Sequence, residues 1–326
     1  MDDEWDDETP TPSAQDINDI KPTSINHIIG QRSVVEQVKV ALDAAQQDGR
    51  KFDHAMLVGF PGAGKTQISQ IIGQEMATDY FEVLGQSIKN VADLNALLLS
   101  VPENRSVVAI DEAHELPKPL QTALYLALDK QRVIIPGTRK GSSPITVPIA
   151  DFSLLLATTD EYMLLQPLRE RMRLVLRFEF YTVEELVQIL RHRLKALQWD
   201  VDEEVLPMIA GKSRGVPRLA LRLAQAARRV CRADGESRIT VAHLERACVL
   251  EQIDNLGLGP TEQKYLRILG DGPHRLNVLA SMLGLPARTV SQVTEPFLLR
   301  AGLIVKDDQG RRCLTAQGRE HLGIRK

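Results

Sequence analysis

Two short motifs in the first half of the chain have the residue types and spacing to bind a nucleoside triphosphate. The first, "GFPGAGKT", runs from Gly59 to Thr66 and fits the pattern G-x-x-x-x-G-K-[ST]. Its glycines allow backbone N–H groups to surround phosphate oxygens without a Cβ in the way. Lys65 is expected to reach the β- and γ-phosphates, and the Thr66 hydroxyl to bind Mg²⁺. The motif follows an apolar run and opens a helical pattern, which is the context that a phosphate-binding loop requires.

The second motif, "VVAIDEAH", places two carboxylates at the end of another apolar run. Asp111 is expected to hold Mg²⁺ through water, and Glu112 to polarise the attacking water. The letters D-E-A-H also occur in helicases that have two tandem ATPase cores. This chain has one phosphate-binding motif, which disfavours that class, and His114 is interpreted as structural.

Further polar residues could complete such a site. Thr158 and Thr159 end a third apolar run, where a hydroxyl could sense the γ-phosphate or could only cap the next helix. "QPLRERM" carries Arg169 and Arg171, and "SRGVPR" ends in Arg218. Each arginine alone could be a surface charge. Together they favour a nucleotide clamped between neighbouring subunits, because an arginine supplied in trans stabilises the transferring phosphoryl group.

These residues need a sheet to position them, and the apolar pattern predicts one. Short apolar runs separated by helical patterns are typical of a parallel sheet with helices on both faces. Strands are predicted at 54–60, 106–112 and 151–159, a helix at 65–77, and a projecting hairpin at 132–149.

The second half of the chain has a different pattern. Beyond residue 181 it predicts an all-helical domain that opens with a capping box, Thr182 with Glu185. The stretch "NLGLGPTEQ" reads as a linker-like joint. The tail then predicts three helices and a two-stranded wing, the signature of a winged helix-turn-helix. The predicted divisions are 1–19, an acidic disordered leader; 20–181, an ATPase domain; 182–255, a helical lid; and 256–326, the winged helix.

Composition and charge narrow the class of protein further. The first 20 residues hold eight acids and no Lys or Arg, which is the opposite of a signal peptide. Residues 256–326 hold eleven Lys/Arg against six Asp/Glu, which is compatible with an anionic partner but also common in domains without one. No apolar run approaches membrane-spanning length, and the 3 cysteines are scattered. We expect a cytoplasmic protein without a membrane segment.

With these motifs together, the chain resembles the RuvB family of AAA+ Holliday-junction branch-migration motors. The resemblance runs from about residue 20 to the C-terminus, and "PLRER", "EFYTVEEL" and "GVPRLALRL" together with the winged tail are its specific strings. It implies an AAA+ core with a lid and a winged helix. It also implies ATP and Mg²⁺ as ligands, and a homo-oligomeric, hexameric ring acting on duplex and four-way-junction DNA.

The resemblance also implies roles for individual residues. The residues implied to bind the nucleotide are Ile20, Lys21, Gly62, Ala63, Gly64, Lys65, Thr66, Gln67, Tyr181 and Arg218. Those implied to bind the metal ion are Thr66 and Asp111. The catalytic set is Lys65, Asp111, Glu112, Thr159 as first sensor, Arg171 as the finger acting on a neighbour, and Arg218 as second sensor. The DNA contacts are Arg288, Lys306 and Arg311, and the hairpin contacts to a RuvA-like junction-binding partner are Val133 and Ile135.

The chain departs from the family pattern mainly at its partner and DNA surfaces. The wing reads "KDDQGRR", which puts Asp307 and Asp308 where positive charge would attract DNA, and Leu128 replaces an acidic residue. The phosphate-binding loop reads "GFPGAGKT" where the family has "GPPGLGKT". Two alternatives therefore stay open: an ATP-switched DNA-binding scaffold of the initiator type, and a diverged relative that uses another partner. A winged helix could also read sequence in the major groove, with Arg288 as the reading residue.

Overall fold

The computed structural model describes Ile17 and residues 20–103, 105–135 and 143–324. All of the predicted leader except Ile17, and the tip of the predicted hairpin at 136–142, lie outside the described residues. The described chain divides into two compact units, one of residues up to Ile189 with Val216–Arg218, the other of Leu190–Gly215 with the residues from Leu219 onward.

A five-stranded parallel sheet forms the centre of the first unit, in the order β2-β3-β6-β1-β7. Its strands are β1 (Ala55–Val58), β2 (Tyr80–Leu84), β3 (Val107–Asp111), β6 (Ser153–Thr158) and β7 (Leu174–Arg177). The helices of this unit are α1 (Arg32–Gln47), α2 (Lys65–Glu75), α3 (Val91–Ser100), α4 (Lys118–Lys130), α5 (Gln166–Arg169) and the start of α6 (Val183–Ala196). The predicted parallel α/β sheet is confirmed.

The sheet forms here because its central strands are apolar along their whole length. Every residue of β6 is buried, and β3 is buried up to Ile110. Two apolar clusters enclose the sheet, one including Val108 and Leu154, the other including Leu57 and Leu155. Alternate residues of each strand enter opposite clusters, as expected for strands that are covered on both faces.

The predicted hairpin is present as β4 (Arg132–Ile135) and β5 (Ile145–Pro148), which pair antiparallel. The register joins Val133 to Val147 and Ile135 to Ile145. Opposite residues of an antiparallel pair share a face, so these four side chains lie on one face of the hairpin.

The second unit contains the rest of α6 and the helical and winged regions. Its other elements before residue 256 are β8 (Asp200–Val201), α7 (Val205–Lys212), α8 (Pro217–Ala233) from Leu219 onward, β9 (Arg238–Ile239) and α9 (Val241–Leu250). The tail elements are α10 (Pro260–Gly270), α11 (Leu276–Leu283), α12 (Ala287–Thr289), α13 (Glu295–Arg300), β10 (Ile304–Lys306), β11 (Arg312–Leu314) and α14 (Ala316–His321). Strands β10 and β11 pair antiparallel as the wing.

The third tail helix differs from the single long helix that the pattern predicts. A π-helical turn at Val290–Thr294 separates α12 from α13, and Pro296 is the second residue of α13. Proline has no N–H and its ring collides with the carbonyl four residues earlier, so the regular helix cannot continue through this point. None of the helices among the described residues is long and apolar enough to cross a bilayer.

Candidate nucleotide site

The phosphate-binding loop leaves the carboxyl end of β1 and becomes the first turn of α2. Gly62 and Gly64 have φ of +81° and +101°, a region that residues with a Cβ rarely adopt. Lys65 begins α2, and its Nζ donates to the carbonyl oxygens of Gly59 at 2.7 Å and Phe60 at 3.2 Å. The loop thus surrounds a cation at a helix N-terminus, which is a favourable place for phosphate.

The charge of Lys65 is poorly solvated. The residue is 6% exposed, and burial lowers the pKa of its ammonium group. Glu112 and Asp111 oppose this shift, whereas Arg218 adds to it. A buried cation is stabilised by an anion at contact distance, so these surroundings favour a bound phosphate.

Thr66 and Asp111 fit an Mg²⁺ ion. The Thr66 hydroxyl donates to Asp111 Oδ2 at 3.0 Å, so two hard oxygen ligands lie side by side at the sheet edge. The second carboxylate oxygen, Oδ1, accepts from the N–H of Glu112 at 2.8 Å. Glu112 itself has φ of +49°, which turns the chain sharply after β3, and its side chain is 41% exposed.

The two threonines at the end of β6 have different surroundings. Thr158 is fully buried, and its hydroxyl lies 3.1 Å from His114 Nδ1 and accepts from the N–H of Asp160. Thr159 follows the strand and is half-buried. The local capping contact therefore belongs to Thr158, and His114 supports it, in agreement with a structural role. The sensing role of Thr159 stays a prediction.

Arg218 and Tyr181 border the loop from outside the sheet. A Cβ built on Gly62 would lie 2.9 Å from Arg218 Cβ, so the glycine permits this close approach. The Tyr181 hydroxyl donates to the Ala63 carbonyl at 3.0 Å, and burial raises the pKa of Tyr181 to about 12. Gln67 lies on the first turn of α2, with its Oε1 3.9 Å from a Cβ built on Gly64.

Ile20 and Lys21 form no hydrogen bond with the loop among the described residues. Ile20 is half-buried and Lys21 is exposed. The turn that follows them is fixed to Glu75 at the last residue of α2, through the Ser24 hydroxyl and the Ile25 N–H. Their part in binding the base stays a prediction.

Arg171 lies at the other end of the sheet. Its Nε donates to Asp129 Oδ1 at 2.6 Å, a second bond joins Nη2 to Asp129 Oδ2, and its guanidinium stacks 4.8 Å from the centroid of the Tyr125 ring. The hydrogen bond from Arg171 lowers the pKa of Asp129. Arg169 has a comparable aromatic contact, 5.4 Å from the centroid of the Tyr162 ring.

The strand register shows that Arg171 and the loop of the same chain are far apart. β1 and β7 are parallel, with Ala55 opposite Leu174 and Val58 opposite Arg177. Arg171 precedes the amino end of this pair, whereas the phosphate-binding loop follows its carboxyl end. The strand alone separates them by roughly 10 Å, at about 3.3 Å per residue.

The three predicted DNA residues lie in the tail and have partners within it. Arg288 Nε donates to Gln292 Oε1 at 3.0 Å. Lys306 is 48% exposed and its Nζ lies 3.8 Å from Glu295 Oε2. Arg311 Nε donates to Asp307 Oδ2 at 2.7 Å, so one of the unusual wing acids neutralises the arginine beside it.

The exposed apolar side chains of the hairpin are not the pair that was predicted. Val133 is 3% exposed and packs in a core cluster, so it supports the fold rather than facing outward. Ile135 is half-buried, while Ile134 and Ile145 are 56% and 62% exposed. Among the described residues of the hairpin, the exposed large apolar side chains are Ile134 and Ile145.

Two contacts near the loop were not anticipated from the sequence. Phe60 in the loop stacks on Phe180, with ring centroids 4.0 Å apart and planes 7° from parallel. The side-chain amide of Gln31 donates to the Glu179 carbonyl at 2.7 Å and accepts from the Glu179 N–H at 3.0 Å. Gln31 ends the string "IIGQ" at 28–31, near the start of the region that resembles the RuvB family.

The class is defined by a phosphate-binding loop after β1, an Asp–Glu pair at the end of β3, threonines at the end of β6 and a winged helix. It is an AAA+ P-loop protein with a DNA-binding type of tail. Residues 20–178 match the RuvB Holliday junction DNA helicase P-loop domain, 181–254 the RuvB AAA lid domain and 255–323 the RuvB C-terminal winged helix domain. The chain belongs to the RuvB family.

Individual relatives agree along most of the chain. The Kosmotoga olearia Holliday junction branch migration complex subunit RuvB is 36% identical over 310 residues, covering 94% of this chain and 90% of the relative. The Thermotoga maritima subunit of the same name is 34% identical over 308 residues. The solved Thermotoga maritima RuvB Holliday junction branch migration motor superposes with a TM-score of 0.83 at 33% identity, covering 94% of this chain and 99% of that one.

Proposed function

We propose that this chain is an ATP-driven ring motor that moves duplex DNA at Holliday junctions. The observation that carries the proposal is the position of Arg171. It lies at the amino ends of the strands, whereas the phosphate-binding loop of the same chain lies at their carboxyl ends. An arginine there serves a phosphate only if a second copy brings its own loop to it. Relatives over 94% of the chain are named subunits of the Holliday junction branch migration complex.

Hydrolysis would use the residues at the carboxyl edge of the sheet. Lys65 and the loop N–H groups would bind the phosphates, and Thr66 with Asp111 would hold Mg²⁺, which neutralises phosphate charge when bound. Glu112, exposed on its sharp turn, would orient the attacking water and accept its proton. Arg218, against Gly62, would contact the γ-phosphate from the same chain. Thr159 would sense that phosphate.

The remaining expectations complete the motor. We place the ATPase domain at 20–181, the lid at 182–255 and the winged helix at 256–326, with Arg288, Lys306 and Arg311 contacting DNA phosphates. Such contacts give little sequence preference and a strong dependence on salt. A RuvA-like partner would dock on the hairpin, a hexamer would form the working ring, and the cytoplasm would be its location.

Mixing two inactive variants tests the shared site. Lys65→Ala lacks its own phosphate contact but keeps Arg171, whereas Arg171→Ala has the reverse defect. Each alone is expected to lose most ATP turnover on junction DNA, because a trans arginine contributes about 10³–10⁵ in rate. A mixture is expected to recover part of the activity, since some interfaces then combine an intact loop with an intact arginine. Arg173→Ala, two residues away and 74% exposed, is the matched control and is expected to stay active.

Three results would contradict the proposal. Absence of recovery at every mixing ratio would place Arg171 outside the site. Full turnover by isolated single chains would remove the need for a ring. A single binding event on junction DNA without further turnover would indicate the scaffold function instead.

A further inference from the structure

The loop between α7 and α8 is fixed to the winged-helix region within the second unit. Arg214, in this loop, has φ of +56°. Its Nε donates to the carbonyl of Gly257 at 2.8 Å, its Nη2 donates to the same oxygen, and its Nη1 donates to Glu262 Oε1 at 2.8 Å. Both partners lie beyond the predicted lid, Gly257 in the connecting segment and Glu262 on α10. The ion pair is largely shielded, with side-chain exposures of 14% and 15%.

An aromatic ring strengthens this attachment. The guanidinium of Arg214 lies 4.8 Å from the centroid of Phe297 on α13, and that of Arg300 lies 5.3 Å from it. Arg300 also donates through Nη2 to the carbonyl of Arg214 at 2.6 Å. Burial, and then the charge of Arg214, lower the pKa of Arg300. The Arg214–Phe297 contact joins the lid to the tail, so its cation–π attraction is lost if the two regions separate, whereas the Arg300–Phe297 contact lies within α13.

The backbones of the two regions also touch. A Cβ built on Gly257 would lie 1.9 Å from the Lys212 carbonyl oxygen, so only glycine fits, and its φ is +75°. Lys212 Nζ donates to the Asp254 carbonyl at 3.1 Å, and His321 of α14 lies 2.9 Å from Asp254 Oδ2. The segment that was predicted to be a linker-like joint is therefore fixed by contacts with both the lid and the tail.

We propose that Arg214 is a positioning residue that holds the lid and the winged helix in a fixed orientation, so that the two move together. This rigid connection is called the locked joint. If the lid turns when nucleotide is hydrolysed, a free joint would absorb the movement, whereas a locked joint delivers it to the DNA-binding tail. The proposal rests on the motor function proposed above. It assigns to Arg214 the coupling of hydrolysis to DNA movement, and neither the binding nor the cleavage of ATP.

The test measures base pairs moved per ATP hydrolysed, using the full chain and junction DNA. Arg214→Ala is expected to keep DNA-free ATP turnover within about twofold of the unmodified protein. Its base pairs moved per ATP are expected to fall at least about fivefold, because small misplacement of a working part is costly. Glu262→Gln, which keeps the shape of the joint, is the milder variant and should show a smaller loss. Arg222→Ala removes an exposed arginine of α8 whose ion pair with Glu251 stays inside the lid, and should change neither quantity.

A second measurement does not depend on motor activity. Spin labels on Cys substitutions of Ala233 in α8 and Asn277 in α11, with Cys313→Ser, report the distance between lid and tail by double electron–electron resonance. The unmodified joint is expected to give one narrow distribution, and Arg214→Ala a broad one. A distribution unchanged by Arg214→Ala, or unchanged base pairs per ATP, would overturn the proposal. If the unmodified protein moves no DNA while its distribution is narrow, the motor function fails and the locked joint stands.

Discussion

The histidine that precedes β1 makes the stability of the ATPase core depend on pH. His54 Nδ1 accepts a hydrogen bond from the N–H of Leu154 at 2.9 Å, which requires that this nitrogen carries no proton. Burial, with help from the charge of Lys51, lowers the pKa of His54 from 6.5 to about 4. In the unfolded chain the ring keeps its ordinary pKa. Between these two values the unfolded state therefore binds more protons than the folded state.

The size of the effect follows from that difference. Above pH 7 both states hold a neutral ring, and the histidine does not bias folding. Below pH 6.5 the unfolded state is stabilised by protonation, and the loss levels off near pH 4, the folded pKa. At pH 5 the folded core is expected to lose about 2 kcal/mol relative to pH 7, at 1.36 kcal/mol per pKa unit.

Hydrogen exchange followed by mass spectrometry resolves this domain from the others. The free energy of opening for the peptide covering β1 should fall by about 2 kcal/mol between pH 7 and pH 5, after correction for intrinsic exchange rates. His54→Asn offers an acceptor near the position of Nδ1 without a titrating ring, so its fall should be clearly smaller. Equal losses in both proteins would show that other groups cause the pH dependence and that His54 is not held neutral.

Two further expectations concern the loop and the wing. The Phe60–Phe180 stack joins the phosphate-binding loop to the segment before Tyr181. In a double-mutant cycle on the KM for ATP, Phe60→Ala and Phe180→Ala should therefore show a coupling energy of about 1 kcal/mol. Additive effects of the two substitutions would exclude a shared role. Asp307→Asn should free Arg311 and tighten DNA binding at low salt, with a steeper salt dependence. Asp308→Asn removes the same charge without releasing Arg311, so its gain in DNA affinity should be smaller. Equal gains for the two substitutions would mean that only the net charge of the wing affects DNA binding.

Much of the site could be predicted because its signals are local in sequence. The loop glycines, Lys65 and the strand-end carboxylates each sit at an element boundary that a run of four or five apolar residues identifies. The parallel sheet then brings Thr66, which follows β1, to Asp111 at the end of β3, because all strands of a parallel sheet end on the same side, even though β6 lies between these two.

The contacts that were missed depend on tertiary structure. Period-two alternation puts Val133 and Ile135 on one face of the hairpin, but it does not say where along that face the core ends. The structure places that limit between them, since Val133 is buried and Ile135 emerges. In the same way, nothing near Arg214 in sequence indicates Phe297, which is 83 residues further along.

The string "SRGVPR" carries two arginines with different tasks. Arg218 lies against Gly62 of the phosphate-binding loop, and Arg214 contacts the Gly257 carbonyl in the tail. Three residues separate them. Pro217 fixes its own φ and restricts Val216 before it, which leaves Gly215, with φ of +76°, as the freely rotating position. A shift of Arg218 toward a γ-phosphate would therefore reach Arg214 through three residues, of which only Gly215 can rotate freely. Substitutions at Gly215 should alter coupling without altering ATP affinity.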